Sequence, residues 1–436
     1  MTLHVFSTQL TKTGRMASRG SVLIMAMLLL SSIAARADAV LDWNAIAINT
    51  AIDNGQNPFE LARFAALEQL AVFEAVNSIT GDYHPYLGYI VAPRGASTDA
   101  AAIQAAYQVL STFFPKSKTA LDAARSNSLA SIPDSQAKVD GIATGDAAAF
   151  AMIALRGNDG ASPPQFRTPG PVLPGEWQAT PTCPSINGTA VGVFFQWQYV
   201  TPFGIRRVSD FLLDPPPALT SNRYAKSFNE VKTVGSLNSP ERPQDRTDVV
   251  LFYAVTSATL VFNQAARQIA QQQGRSLSEN ARALALINMA INDSFVASFF
   301  NKYHYNFWRP ETAIRAANTD GNPKTVPDPS FLPFVATPCF PSYPSNHGSG
   351  TGGGAEVSRR LYGESGHSIT VSNPAVPNMV LHYTSFKQII DDVSDARVYG
   401  GIHFRTDQEA GTQLGKAVGG AVYRHNLRSM QDHDDD

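Results

Sequence analysis

The stretch FPSYPSNHGSGTGGG (340–354) has the form of a loop that runs into a helix, with Pro344 and Ser345 ahead of a glycine-rich segment that continues into alanine and apolar residues. Ser345 is placed to cap that helix, and the first free N–H groups behind it would face an anion. His347 falls in the first turn, where an imidazole can donate to, or take a proton from, a bound oxygen. Upstream, KYHYNFWRP (302–310) sets Lys302 and Arg309 seven residues apart. On one helix they would share nearly one face, two turns from each other, until Pro310 ends or redirects the chain. Two such cations repel unless an anion joins them, and the surrounding aromatic residues argue against both being solvated. Downstream, RVYGGIHFRTD (397–407) has a Gly400-Gly401 break. The break should leave Arg397 near a helix end and His403 beyond the turn. Asp407, four residues on, is then spaced to accept the Nδ1–H of His403 and aim Nε2 outward. Together the three segments supply three cations, a helix N-terminus and two imidazoles, a donor set suited to a small oxyanion.

Around these segments the chain looks all-α. Pro58 to Ile79 places apolar residues at three-residue spacing, and alanine-rich helical stretches follow near 99–113, 118–131 and 136–156. From Gly157 to about Pro217, eleven prolines rule out a long helix and predict an irregular excursion, with a short hairpin near 192–200. Helical periodicity resumes at about 221–236, 244–272, 278–300, 348–362, 380–398 and 406–426. With 44% hydrophobic and 16% charged residues in 436, a large core is expected and disorder is not. A net charge of −2 provides no field for nucleic acid, so any anion site must be built locally.

Lys12, Arg15 and Arg19 precede an apolar run from Val22 to Ile33, and Ala37-Asp38-Ala39 fits a cleavage site. The run is shorter than the roughly 20 residues that span a bilayer, which predicts an exported protein; no later stretch is apolar enough to cross. The expected organisation is a signal peptide at 1–39 and an N-terminal helical region with the Pro-rich loop at 40–220. A C-terminal helical region carrying the oxyanion site follows at 221–428, then an acidic tail at 429–436. Cys183 and Cys339 either pair across a long loop or remain separate buried thiols. Metal-ligand spacings of the CxxC or HExxH kind are absent from the sequence.

The ordered pattern K-x6-R-P, P-S-x-H and R-x5-H-x3-D resembles the superfamily that joins vanadium-dependent haloperoxidases, bacterial acid phosphatases and type 2 phosphatidic-acid phosphatases. It appears as Lys302/Arg309-Pro310, Pro344-Ser345-Asn346-His347 and Arg397/His403/Asp407. The match spans roughly 290–425, and Asp42-Trp43-Asn44 with the helical body is similar to the soluble bacterial haloperoxidase-like branch. The resemblance implies helical bundles of the haloperoxidase and acid phosphatase type. It also implies vanadate as cofactor, with Lys302, Arg309, Arg397, Ser345 and the N–H of Asn346 on its equatorial oxygens and His403 as the apical vanadate ligand. His347 would be the acid–base group, Asp407 would orient His403, and Phe340 would border the halide site. Two positions depart from the family pattern: Asn346 replaces a usual Gly, and Ala396 replaces a Ser.

The implied reaction is vanadate-dependent oxidation of halide by hydrogen peroxide to a hypohalous species. Hydrogen peroxide, halide and a small organic acceptor are the expected partners, without nucleic acid or a stable membrane span, and a homo-oligomer is compatible. The alternatives are an exported acid phosphatase working through a phosphohistidine at His403, and a non-catalytic oxyanion-binding protein.

Overall fold

The computed structural model describes residues 38–431. The proposed signal run and the end of the acidic tail lie outside the described residues. The first helix, α1 (Ala39–Asp53), starts where the Asp38 carboxylate accepts the Val40 and Leu41 N–H groups. α2 (Pro58–Thr80) begins with Pro at its first position inside an Asn57/Glu60 capping box, so its free N–H groups are already satisfied. α3 (Thr98–Phe113), α4 (Lys118–Ala130) and α5 (Gln136–Arg156) complete the N-terminal helices.

The excursion after α5 holds a short hairpin, β1 (Ser185–Ile186) with β2 (Thr189–Ala190), and two 3₁₀ turns at Phe195–Tyr199 and Val208–Phe211. The hairpin therefore lies upstream of the expected 192–200. There, Gly192 pairs with Arg167, and residues 195–199 form a 3₁₀ turn that buries Trp197 instead of extending.

Past the excursion come α6 (Asn222–Val234), α7 (Gln244–Val255), α8 (Ala258–Gln273) and α9 (Leu277–Tyr305). The single helix expected over 244–272 is two, bent by 99° where extended Thr256 and the N-cap Ser257 interrupt it. α10 (Pro310–Arg315) and α11 (Asn346–Tyr362) precede an antiparallel pair, β3 (Ser365–Ser372) with β4 (Val380–Ser385). α12 (Phe386–Tyr399) and α13 (Arg405–His425) close the fold. The sequence reading continued α12 back to residue 380. The first six residues of that span instead pair with β3, whose buried positions His367, Ile369 and Val371 alternate with exposed ones.

The central post is α9. It is long and apolar enough to cross a membrane, contrary to the sequence expectation, but 94% of its apolar window is buried by α2, α11, α13 and their neighbours. It is a core helix. Each large apolar side chain it buries completely, such as Phe299 and Ile291, contributes on the order of 2 kcal/mol. Its buried polar residues fasten the excursion. Asp293 accepts the N–H groups of Phe203, Gly204 and Ile205 at 2.7, 2.6 and 3.0 Å. Asn301 accepts from Leu213 N–H and donates to Phe211 C=O. Just beyond α9, Asn306 and Trp308 exchange backbone bonds with Trp177 and Gly175. A Cys183–Cys339 disulfide ties the hairpin's entrance to the segment before Phe340.

Candidate functional site

Lys302 and Arg309 come together without sharing a helix face. α9 ends at Tyr305, Asn306 takes a left-handed conformation (φ 49°), and Arg309 is extended before Pro310. A turn, not the helical repeat, converges the two cations, and both are fully buried. Lys302 Nζ donates to the carbonyls of Pro341 and Ser342 at 2.8 Å each and to that of Pro344. All three ammonium protons therefore brace the 341–345 loop. Burial holds this lysine well below the usual ammonium range, and Arg309 adds to that effect. Arg309 donates through Nε to Phe340 C=O and through Nη1 to Ile402 C=O and His403 Nε2, each at 2.9 Å, while its Nη2 is buried without a partner.

The His403 tautomer follows from these partners. A guanidinium can only donate, so Nε2 holds a lone pair and Nδ1 carries the proton toward Asp407 Oδ2 at 3.0 Å. Asp407 Oδ2 also accepts Ser342 Oγ–H at 2.6 Å and Phe404 N–H at 3.1 Å. Asp407 is fully buried in the first turn of α13, so burial raises its pKa while Ser342 opposes the rise. Burial, then Arg309, Lys302 and Arg397, keeps His403 neutral well below the usual imidazole range.

Ser345 caps α11 by accepting Gly348 N–H at 3.2 Å, and its own N–H donates to Asp407 C=O at 2.9 Å. The N–H groups of Asn346 and His347 precede any intrahelical acceptor. The Asn346 side chain is 4% exposed, and neither its Nδ2 nor its Oδ1 has a partner. Tyr253, in the last turn of α7, offers a carbonyl that accepts Arg397 Nη1–H at 3.1 Å and a ring N–H of His347. Arg397 Nε is buried and unpartnered, and burial lowers the guanidinium to about 10. Desolvation, then Arg397 and Lys302, holds His347 well below its ordinary value.

These groups border one cavity of about 180 Å³, lined on its polar side by Arg397, His403, His347 and Asn346. Opposite stand Phe59, Phe194, Phe295 and Phe340, in edge-to-face contacts such as Phe59–Phe194 at 4.9 Å and Phe59–Phe295 at 5.3 Å. Arg309 and Lys302 lie behind Phe340, at 5.0 and 5.3 Å from its ring centroid. No carboxylate lines the cavity. Hence Arg397, His403, His347, Asn346 and Phe340 share the space. Arg309 reaches it through His403, Asp407 stands behind His403, Ser345 acts as cap and Lys302 as brace. The unpartnered Arg309 Nη2, Arg397 Nε and Asn346 amide, with two free N–H groups and one imidazole lone pair, fit a compact oxyanion such as vanadate or phosphate.

Sequence reasoning passed over Ser342, Tyr253, Ser257 and the three distant phenylalanines. Only Ser342 carried a signal, since it sits in the quoted loop three residues before Ser345.

The VCPO second helical-bundle domain matches residues 282–432. The vanadium chloroperoxidase of Curvularia inaequalis is 29% identical over 187 residues, covering 35% of this chain and 30% of that protein. The match thus spans under a third of the relative's length. Among solved structures, a bacterial vanadium-dependent iodoperoxidase superposes with a TM-score of 0.74 at 23% identity, covering 91% of this chain and 97% of that one. An apo-type bacterial vanadium-dependent chloroperoxidase gives 0.67 at 17% identity, covering 85% and 96%. Residues 282–432 thus carry a chloroperoxidase-type second helical bundle, and the chain as a whole has the fold of those bacterial enzymes.

Proposed function

We propose that this protein is a vanadate-dependent haloperoxidase that oxidises halide with hydrogen peroxide. The observation that carries the proposal is a cavity that Arg397, His347, His403 and Asn346 line together with four phenylalanines and no carboxylate. A bound vanadate would supply a Lewis acid that activates hydrogen peroxide. His403 Nε2, held in the required tautomer by Asp407 and Ser342, would bind it once the bond it accepts from Arg309 Nη1 is released. Arg309, Arg397 and the Asn346 N–H would donate to its oxygens, and Lys302 would act through the loop it braces. His347 is neutral and fixed by the Tyr253 carbonyl, which leaves its other nitrogen free to take a proton from peroxide and return one to the departing oxygen. Overall, halide gives an electron pair to one peroxide oxygen as the O–O bond breaks; that oxygen leaves as hypohalous acid, and the other leaves as water after one proton is taken up from solvent through His347. The phenylalanines exclude bulk water from that exchange.

The His403 lone pair would equally serve phosphoryl transfer, so the decisive assay runs both reactions on one preparation. Bromination or iodination that requires both vanadate and peroxide supports the proposal. Turnover of a phosphomonoester, inhibited by vanadate, would replace it. His403→Ala should abolish vanadate binding, while His347→Ala should reduce turnover far more than binding. Equal loss of binding in both variants would reject these roles.

A further inference from the structure

We propose that the β3–β4 hairpin is a positioning element of the site: through Tyr383 and Asn373 it holds the end of α7, whose Tyr253 carbonyl orients His347 and Arg397. The inference rests on the acid–base role given to His347 and names what fixes that imidazole. The last carbonyls of a helix have no intrahelical partner. Those of α7 are taken up by the site and by the hairpin. Tyr253 C=O accepts Arg397 Nη1–H at 3.1 Å and a ring N–H of His347, while Val255 C=O accepts Asn373 Nδ2–H at 3.1 Å. Asn373 also reaches Thr256 Oγ1 at 2.9 Å, so it grips the kink between α7 and α8. The direction of the His347 ring therefore depends on where one turn of backbone stands.

The Tyr253 side chain fixes that turn. Its hydroxyl meets Tyr383 Oη at 2.9 Å, and Tyr383 in turn donates to Asp392 Oδ2 at 2.9 Å. A carboxylate only accepts, so the single Tyr383 proton goes to Asp392 and Tyr253 must donate to Tyr383. Both rings are buried, and burial raises both phenols, so neither gives up its proton. The other oxygen of Asp392 accepts Arg246 Nη1–H at 2.8 Å. Arg246 and Tyr253 belong to α7, and Asp392 and Arg397 to α12, so the bonds close a circuit through α7, β4 and α12 that contains the Tyr253 carbonyl. The hairpin is itself fastened to α8. Gln264, Gln268 and Gln272, one turn apart, set their carboxamides on the backbone of Ser372, Thr370 and Ser368 at 2.8 to 3.1 Å. None of Tyr383, Asn373, Asp392 and Arg246 lines the cavity, so each acts on the site only through α7.

The test is proton exchange followed by NMR on the vanadate-free protein labelled with ¹⁵N-histidine, with steady-state kinetics alongside. Tyr383→Phe opens the circuit. The double variant Tyr253→Phe/Tyr383→Phe opens it without leaving a buried hydroxyl unpaired. The His347 ring N–H should exchange at least tenfold faster with solvent in both variants than in the parent. His367 lies buried in β3 with its ring on Gly363 C=O at 3.0 Å, so it reports on the hairpin itself and should keep its rate within twofold. With vanadate, peroxide and bromide, kcat should fall about tenfold while the bromide KM stays within threefold. An unchanged His347 rate in the folded variants, equal acceleration of His347 and His367, or parent behaviour in the double variant would overturn the proposal. The exchange measurement requires no turnover, so it decides the positioning role even if no halogenation occurs, a result that would refute the haloperoxidase reading instead.

Discussion

Gly411→Ala isolates how closely the geometry of the site depends on contact between two helices. Gly411 lies on α13 one turn after Asp407, and a Cβ there would stand 2.5 Å from Ser345 C=O and 3.2 Å from both Ser345 N and Ser349 N. Ordinary contact begins at 3.4 Å, so the start of α11 must retreat by about 0.9 Å. Ser345 is the cap of α11 and is tied to Asp407 C=O at 2.9 Å, so this retreat moves the Asn346 and His347 N–H groups away from His403. A misplacement of about 1 Å in a preorganised site costs roughly 100-fold. The stability cost should be modest: overpacking at about 1–3 kcal/mol is partly offset by about 1 kcal/mol of helix propensity gained on replacing Gly. The assay pairs a vanadate-binding titration with thermal melting, and Gly420→Ala is the control. At Gly420 a Cβ meets the flexible tips of Arg424, Arg360 and Glu356, at 3.2, 3.7 and 3.8 Å, so that variant should bind normally and melt at or above the parent temperature. If Gly411→Ala binds vanadate within about threefold of the parent, the backbone contact does not set the site and the reasoning fails.

Asp407→Asn should weaken vanadate binding by roughly 10–100-fold, as for other partners of ligating imidazoles, with the helical signal in circular dichroism retained; unchanged affinity would deny Asp407 its orienting role. Glu68 is 1% exposed on α2, and burial raises it to about 8; its Oε1 and the Gln69 Oε1 both lack a partner. Between its unfolded value of 4.5 and about 8 the folded chain holds the extra proton, so stability falls as pH rises through that window. Glu68→Gln should therefore leave the melting temperature near pH 5 almost unchanged and raise it above about pH 8; equal pH slopes in parent and variant would contradict this. Reducing the Cys183–Cys339 bond, which spans 156 residues of sequence, should cost about 2–5 kcal/mol in denaturant melts, and a null result with thiols shown to be free would count against it. Export is proposed from the N-terminal sequence, and Asp38 both caps α1 and accepts Asn280 Nδ2–H at 2.7 Å. Cleavage after Ala39 would remove that cap, whereas a second A-x-A match, Ala35-Arg36-Ala37, keeps it, so Edman sequencing of exported protein should read Asp38 first, not Val40.

What could be recognised in the chain beforehand was local. The Ser345 cap, the Gly400-Gly401 break and the His403/Asp407 spacing each lie within a few residues, where backbone rules act directly. Lys302 and Arg309 were also found, but by a helical repeat the protein does not use; the left-handed Asn306 that joins them gives no periodic signal. The aromatic wall could not be foreseen. Phe59 arrives from the start of α2, Phe194 from the excursion and Phe295 from the middle of α9, and only the packed core places them together. The Tyr253 carbonyl is a backbone group, and residue identity does not reveal which helix end will meet an arginine. At 380–385 a short apolar run fits strand or helix equally by pattern, and pairing with β3 decides it.

The choice of partners for the three buried cations explains why the site suits an anion at all. Lys302, Arg309 and Arg397 together hydrogen-bond the carbonyls of Pro341, Ser342, Pro344, Phe340, Ile402 and Tyr253. Carbonyls satisfy donors and fix geometry without cancelling charge, whereas carboxylate partners would neutralise the cage and repel an oxyanion. Among the described residues, Asp407 is the carboxylate that meets this cluster, and it does so through His403 Nδ1, on the side away from Nε2. Burial first, and then the neighbouring positive charge, lowers the proton affinity of both imidazoles and of Lys302 and Arg309, a cost that a bound oxyanion would offset. Ligand affinity and thermal stability should therefore rise together, and the backbone that positions the cations is as much a part of the site as the side chains it holds.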